Sequence, residues 1–279
     1  MSTALITGVS TGIGLATAEK LLRSGWRIYG SVRRAEDAED LSTRYPNHFH
    51  PLVFDVTDRA AVEKGIAVIQ TNGHPLQVLI NNAGIAVSGP LENLSEADIR
   101  KQFEVNVFGL LRLSQVALPL LHESVARGLS PVRIINVSSV SGYVSSPYTS
   151  LYSASKFAVE ALTDGLRREL MPFGIDVISI APGPVKTPIW EKASDRRDVF
   201  YGRYATVLEL LDPYLENAMQ AAIPPEEVAN RIEKSILASK PKPDQIVMPK
   251  GWLIRLMRLM PKRWVDKMAR KRLEAARRY

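Results

Sequence analysis

The chain has 279 residues, 46% of them hydrophobic, enough to fill the core of one large α/β domain. It has no cysteine, which excludes disulfides, zinc thiolate sites and thiol nucleophiles, and its four histidines (His48, His50, His74, His122) form no tight ligand cluster, so no metal is expected. The formal charge of +7 is uneven: from Lys250 onward there are 11 basic and 2 acidic residues, a net of +9 that leaves −2 for residues 1–249 and removes the case for a nucleic-acid partner. No run of 18 apolar residues occurs and the chain opens on a strand pattern, so the reading expects no membrane span or signal peptide and a cytoplasmic location.

Thr3-Ala4-Leu5-Ile6-Thr7 reads as a short buried strand, followed at once by Gly8-Val9-Ser10-Thr11-Gly12-Ile13-Gly14. Leu15, Ala18, Leu21 and Leu22 then share one side of a helix. Strand, glycine-rich turn and helix together make a phosphate cradle, because bare glycines let backbone N–H groups approach an anion and the helix N-terminus adds its positive dipole end. The spacing is Gly-x-x-x-Gly-x-Gly, not the commoner Gly-x-Gly-x-x-Gly, and such a turn alone is weak evidence.

A second strand is expected at Arg27–Val32, and no acid occurs between Arg27 and Ala35. An NAD site places a carboxylate here to accept from the ribose hydroxyls. Arg33 and Arg34 would instead clamp a 2′-phosphate through guanidinium forks, with Ser31 as an added donor, so NADP is favoured over NAD. The plainer reading makes both arginines exposed loop charges. Glu36 and Asp37 fall in the first turn of the next helix, where their charge suits the dipole.

Further strands are expected at Phe49–Phe54, Val78–Asn81, Arg133–Val137, Asp176–Ile180 and Gln245–Met248, with the longest helices at Glu96–Ala126 and Tyr152–Met171. This alternation predicts an α/β fold, a doubly wound parallel sheet of about seven strands with helices on both faces. Residues 1–249 form the catalytic domain, including a lid at about 187–223, and 250–279 form a basic amphipathic extension.

In Tyr152-Ser153-Ala154-Ser155-Lys156, a phenol and an ammonium lie four residues apart, on one face if the segment is helical. A phenol has a pKa of about 10, and an ammonium about 4 Å away at an effective dielectric of about 20 favours the phenolate by roughly 4 kcal/mol, or about three pKa units. That would let Tyr152 exchange a proton near neutrality. The plainer reading is a solvated helix side.

The ordered set Thr7-Gly8-Val9-Ser10-Thr11-Gly12-Ile13-Gly14, Asn81-Asn82-Ala83-Gly84, Asn106, Ser138-Ser139, Tyr152-x-x-x-Lys156 and Pro182-Gly183 strongly resembles the short-chain dehydrogenase/reductase family, motif by motif over residues 1 to 190. The resemblance implies a single-domain Rossmann-type fold and a cofactor site of Gly8, Ser10, Thr11, Gly12, Ile13, Gly14, Arg33, Arg34, Asp55 and Val56 (adenine), Asn82, Ala83 and Gly84 (adenosine ribose), Tyr152 and Lys156, with Pro182, Gly183, Val185 and Thr187 on the nicotinamide side. It also implies that Ser139 holds the reacting oxygen, Tyr152 moves its proton, and Lys156 lowers the Tyr152 pKa and bonds the nicotinamide ribose. Asn106 resembles the residue that kinks its helix and orders a water toward Lys156. Ser138 is the alternative serine, turned away by strand alternation, and Ser141 a weaker one.

The segment after Thr187 holds Ile189, Trp190, Phe200, Tyr201, Tyr204, Leu208, Leu210, Leu211, Tyr214 and Met219, content that suits a lid over a lipophilic carbonyl or alcohol substrate, though some of it will pack on the core. With about 30 residues beyond Met248, the chain is more like the hydroxysteroid and retinol dehydrogenase branch than the shorter 3-oxoacyl-carrier reductases. By resemblance a homodimer or homotetramer is expected. The alternative function is a catalytically silent nucleotide-binding sensor or scaffold.

In the extension, Trp252, Leu256, Leu259, Met260, Trp264 and Met268 recur among Arg255, Arg258, Lys262, Arg263, Lys267, Arg270, Lys271 and Arg272, and Pro261 should break the segment into two short helices. Such a stripe fits peripheral contact with an anionic membrane or docking on the body.

Overall fold

The structure, a computed structural model, describes residues 1–189, 197–207 and 219–276. Trp190, Leu208, Leu210, Leu211 and Tyr214 of the expected lid lie outside the described residues. The strands are β1 (Thr3–Thr7), β2 (Arg27–Val32), β3 (Phe49–Val53), β4 (Val78–Asn81), β5 (Arg133–Val137), β6 (Asp176–Pro182) and β7 (Asp244–Val247). They form one parallel sheet in the order β3-β2-β1-β4-β5-β6-β7. Strand positions match the sequence reading, with four changed ends. β3 stops at Val53 and β7 at Val247, each one residue short. β6 runs on to Pro182 because Ala181 and Pro182 still pair with Ile246 and Val247, and β7 begins at Asp244, opposite Ser179.

Alternate residues of each strand feed opposite cores, as a sheet covered on both faces requires. Ala4, Ile6, Ile28, Ile80, Ile135 and Ile178 pack with α1 (Gly12–Arg23), α2 (Glu39–Arg44) and the later helix α7 (Pro225–Leu237). Leu5, Tyr29, Leu52, Leu79, Ile134 and Val177 pack with α3 (Arg59–Thr71), α5 (Gly109–Ala126) and α6 (Ser150–Leu170).

The long helix Glu96–Ala126 begins at a Ser95/Asp98 capping box as α4 (Glu96–Phe103), passes through a π-turn at Glu104–Phe108, and continues as α5. By length and a mean hydropathy of 1.2 it resembles a membrane span, but Leu113, Ala117, Leu120 and Leu121 are buried in the sheet core, as in any central helix. The extension forms α8 (Trp252–Leu259) and α9 (Lys262–Ala276), separated at Pro261. Strand order reverses between β1 and β4, so a crevice opens there at the carboxyl ends of the strands.

Candidate active site

A cleft of about 1060 Å³ runs along these carboxyl ends. At one end α1 starts at Gly12 with no acid in its first turn, and its cap residue Thr11 makes no side-chain bond to the helix, so the helix N-terminus stays open to an anion. Gly8 (φ 70°) and Gly12 (φ 60°) both need the left-handed region, and a Cβ on Gly12 would stand 2.9 Å from Thr187 Cγ2. Gly14 works differently. A Cβ there would sit 2.1 Å from the Gly8 carbonyl oxygen, so Gly14 sets how closely α1 packs on the turn rather than lining the cleft.

Thr7 holds this end to β4, and the sequence reading gave it no role. Its Oγ1 accepts from the backbone N–H of Asn82 (2.9 Å) and Ala83 (3.0 Å), while Asn82 Nδ2 donates to the carbonyls of Thr7 (2.8 Å) and Gly8 (3.2 Å). Asn82, Ala83 and Gly84 line the cleft, but the Asn82 amide is committed to the β1 turn. Ser31 lines the cleft too; Gly8 N donates to its hydroxyl oxygen at 3.2 Å, which leaves its O–H as a donor. Asp55 and Val56 also line the cleft, where Asp55 Oδ1 accepts from Thr57 N and Oγ1. The two arginines separate. Arg33 faces the cleft, whereas Arg34 forms an ion pair with Asp37 at 2.7 Å and does not line it.

At the other end Ser139, Tyr152 and Lys156 line the cleft with Pro182, Gly183, Val185 and Thr187. Ser139 lies two residues past β5 and caps the short turn Val140–Gly142, its Oγ accepting from Ser141 N at 3.1 Å. Ser138 is buried beneath Gly142, where a Cβ would approach its Oγ to 3.1 Å. Lys156 Nζ donates to the Val137 carbonyl at 2.9 Å and lies 5.8 Å from the Tyr152 ring centroid.

The expected sign at Tyr152 is corrected here. Burial raises its pKa above the ordinary phenol value, and only a hydrogen bond with Ser139 acts the other way. Lys156 is itself desolvated, its pKa lowered to about 8, with Glu160 opposing the drop. Its ammonium is bonded to the Val137 carbonyl, on the same helix face as the Tyr152 ring.

Asn106 does not line the cleft. It sits in the π-turn, where Oδ1 accepts from Ile85 N (2.8 Å) and Nδ2 donates to Ile85 O (3.0 Å) and Ser155 Oγ (3.1 Å). One turn earlier, Gln102 holds Val87 N and Ile85 O in the same way, a second support absent from the sequence reading. A Cβ on Gly84 would meet Asn106 Oδ1 at 3.3 Å and Lys156 Nζ at 3.8 Å, so Asn106 comes close to the reacting end across Gly84.

The described part of the lid closes an apolar mouth of Val87, Leu94, Leu151 and Val199, backed by Phe103 and Phe200. Tyr148, held at φ 63°, sets its ring tilted 5.7 Å from Phe200 and edge-on 6.4 Å from Tyr204. The lid base is pinned by Lys186 N donating to Ile223 O and Ile223 N to Pro184 O. Ile189 lines the cleft, while Tyr201 is exposed.

Residues 2–198 match the family model described as short chain dehydrogenase. The chain is 41% identical over 278 residues, 98% of each chain, to the NADPH-dependent 3-dehydrocapnine reductase of Ornithobacterium rhinotracheale. It is 37% identical over 183 residues, 66% of this chain and 64% of the relative, to the 3-ketodihydrosphingosine reductase of Bacteroides thetaiotaomicron. A short-chain dehydrogenase from Streptomyces avermitilis superposes with TM-score 0.79 and 29% identity, covering 99% of this chain and 97% of that one. The actinorhodin polyketide ketoreductase with NADPH superposes with TM-score 0.75 and 25% identity, covering 88% and 95%.

Proposed function

The chain belongs to the short chain dehydrogenase family and is an NADP-dependent oxidoreductase, and we propose that it interconverts a lipophilic ketone and its alcohol with Tyr152 as general acid and base. One observation carries this reading. Ser139 and the Tyr152/Lys156 pair, from different elements, line one cleft with an open helix N-terminus and Arg33. That end fits a phosphorylated dinucleotide: an uncapped helix start, a glycine turn that a Cβ would fill, and a guanidinium where an NAD site holds an acid.

When bound, NADPH supplies the hydride. Arg33 would hold the 2′-phosphate, the Gly8–Gly12 turn the diphosphate, and the Asp55, Asn82–Gly84 and Pro182–Thr187 segments the remainder. Ser139 positions the carbonyl oxygen. Because burial keeps Tyr152 protonated at neutral pH, its Oη–H is ready to donate to that oxygen, the form that reduction needs. Lys156 stabilises the phenolate left behind. The apolar mouth around Val87, Leu94, Leu151 and Val199 excludes water and receives the substrate's hydrocarbon part.

Two relatives are named for reducing a 3-dehydro or a 3-keto compound, which supports a ketone as the reacting group. The test is NADPH oxidation by the purified chain with 3-dehydrocapnine and 3-ketodihydrosphingosine. Turnover of either supports the reading. NADPH binding without turnover of these or a wider ketone panel would favour the silent sensor or scaffold. We further propose a cytoplasmic homodimer or homotetramer assembled through Glu96–Ala126 and α6, where Phe108 and Phe157 remain exposed, with peripheral membrane contact through α8 and α9.

A further inference from the structure

On α6, Tyr152, Lys156 and Glu160 follow one another at four-residue steps and share a face. Glu160 is an acid set into the wall behind the reacting end. Its Oε1 accepts from Ser179 Oγ at 2.7 Å, and its Oε2 lies 3.0 Å from Tyr143 Oη. The same phenol oxygen lies 2.7 Å from Asp244 Oδ1. Tyr143 is buried just after Ser139, and a Cβ on neighbouring Gly142 would approach the Lys156 carbonyl to 2.9 Å and Glu160 Cγ to 3.0 Å.

A phenol has one proton, so Tyr143 donates to one carboxylate only, and its contact with the other requires a second proton on the pair. Asp244 is the half-exposed member and has a cation beside it. Arg255 on α8 reaches Asp244 Oδ2 at 3.4 Å and its carbonyl at 3.0 Å, while Arg258 lies 5.6 Å from the Tyr143 ring centroid. Glu160 is the more enclosed, with burial foremost and the charge of Asp244 raising its pKa while the hydroxyls of Ser138, Ser179 and Tyr143 oppose them. The second proton therefore belongs on Glu160, bridging to Tyr143 Oη, and is released as pH rises. The ionisable groups facing it are Lys156 on α6, Tyr143 after β5 and Asp244 on β7, with Arg255 and Arg258 behind.

We propose that Glu160 is a positioning residue for the reaction, its carboxyl setting how firmly Lys156 keeps its proton and being tuned in turn through Tyr143 and Asp244. This rests on the reading of Tyr152 and Lys156 given above. Ionised Glu160 favours the Lys156 ammonium, and Asp244 disfavours ionised Glu160. The two acids therefore push Lys156 in opposite directions.

The test is the pH profile of kcat/KM for NADPH-dependent reduction of 3-dehydrocapnine by the full chain. Glu160→Gln should move the alkaline limb to lower pH by about half to one unit, and Asp244→Asn should move it to higher pH by a similar amount. If Glu160→Gln does not fold, the Asp244→Asn shift decides alone. Superimposable profiles, or shifts of the same sign, overturn the assignment while leaving the Tyr152 mechanism intact. An unchanged alkaline limb in Lys156→Met overturns the reading of Lys156, and the role of Glu160 with it.

Discussion

Tyr152→Phe removes the proton donor and little else, so turnover should fall below about one per cent of the parent while NADPH affinity stays within a few-fold, as pre-steady-state kinetics and fluorescence titration would show. Arg33→Ala should weaken NADPH by at least about 1.5 kcal/mol and leave NADH nearly unchanged in calorimetry, since one charge-assisted clamp is lost. Equal losses for both cofactors would make Arg33 a structural residue. Lys156 carries a stability signature. Its folded pKa of about 8 lies below the ordinary 10.5, so between these values the unfolded chain holds a proton the folded chain has released, and stability climbs with pH. Relative to Lys156→Met, which does not titrate, the parent should gain about 2 kcal/mol in urea denaturation between about pH 7 and about pH 9.5. At this scale the sequence was readable where partners sit at fixed spacing, as in Tyr152 and Lys156. It was not readable where they converge from separate segments: Glu160 looks like ordinary helix surface until Tyr143, Ser179 and Asp244 are folded around it.

The strands were legible because each is a compact apolar run bounded by polar residues, and a sheet covered on both faces leaves no other place for such runs. The glycine turn was legible for a similar reason: only a residue without a Cβ fits at Gly14, 2.1 Å from the Gly8 carbonyl. The π-turn was foreseen only as a kink carried over by family resemblance, because a helix with one inserted residue keeps its apolar face on both sides. Its structural reason is Asn106, whose amide is spent on Ile85 and Ser155. Asn106→Ala would strand the Ile85 N–H, while Gln102 keeps the Ile85 carbonyl, and should cost about 1 to 3 kcal/mol in urea denaturation at constant m-value. A loss under about 1 kcal/mol would mean that Gln102, on the same loop, carries the load. The extension divided at Pro261 as expected, and its stripe is mixed, with Met260 and Met268 half-buried. Trp252, Leu256, Leu259 and Trp264 are exposed, and the half-buried residues of α8 are Ile254 and Met257.

For the whole molecule, the exposed part of that stripe and the +9 charge of residues 250–279 sit on an otherwise nearly neutral body. The proposed membrane contact predicts that the full chain co-sediments with phosphatidylserine vesicles at low salt, is released at high salt, and fails to bind once truncated after Met248. Light scattering covers the rival occupant. A mass that falls to a monomer when Trp252 and Leu256 become serine would show that a second copy covers the stripe instead. An assembly through Glu96–Ala126 and α6 would survive that change and dissociate with Phe108→Asp and Phe157→Asp. The reaction remains the claim on which these readings depend. Its most direct measurement is the loss of NADPH absorbance when the purified chain meets 3-dehydrocapnine, run in parallel with Tyr152→Phe. The account predicts turnover by the parent, none by the variant, and NADPH binding by both. Equal rates in the two proteins would contradict it.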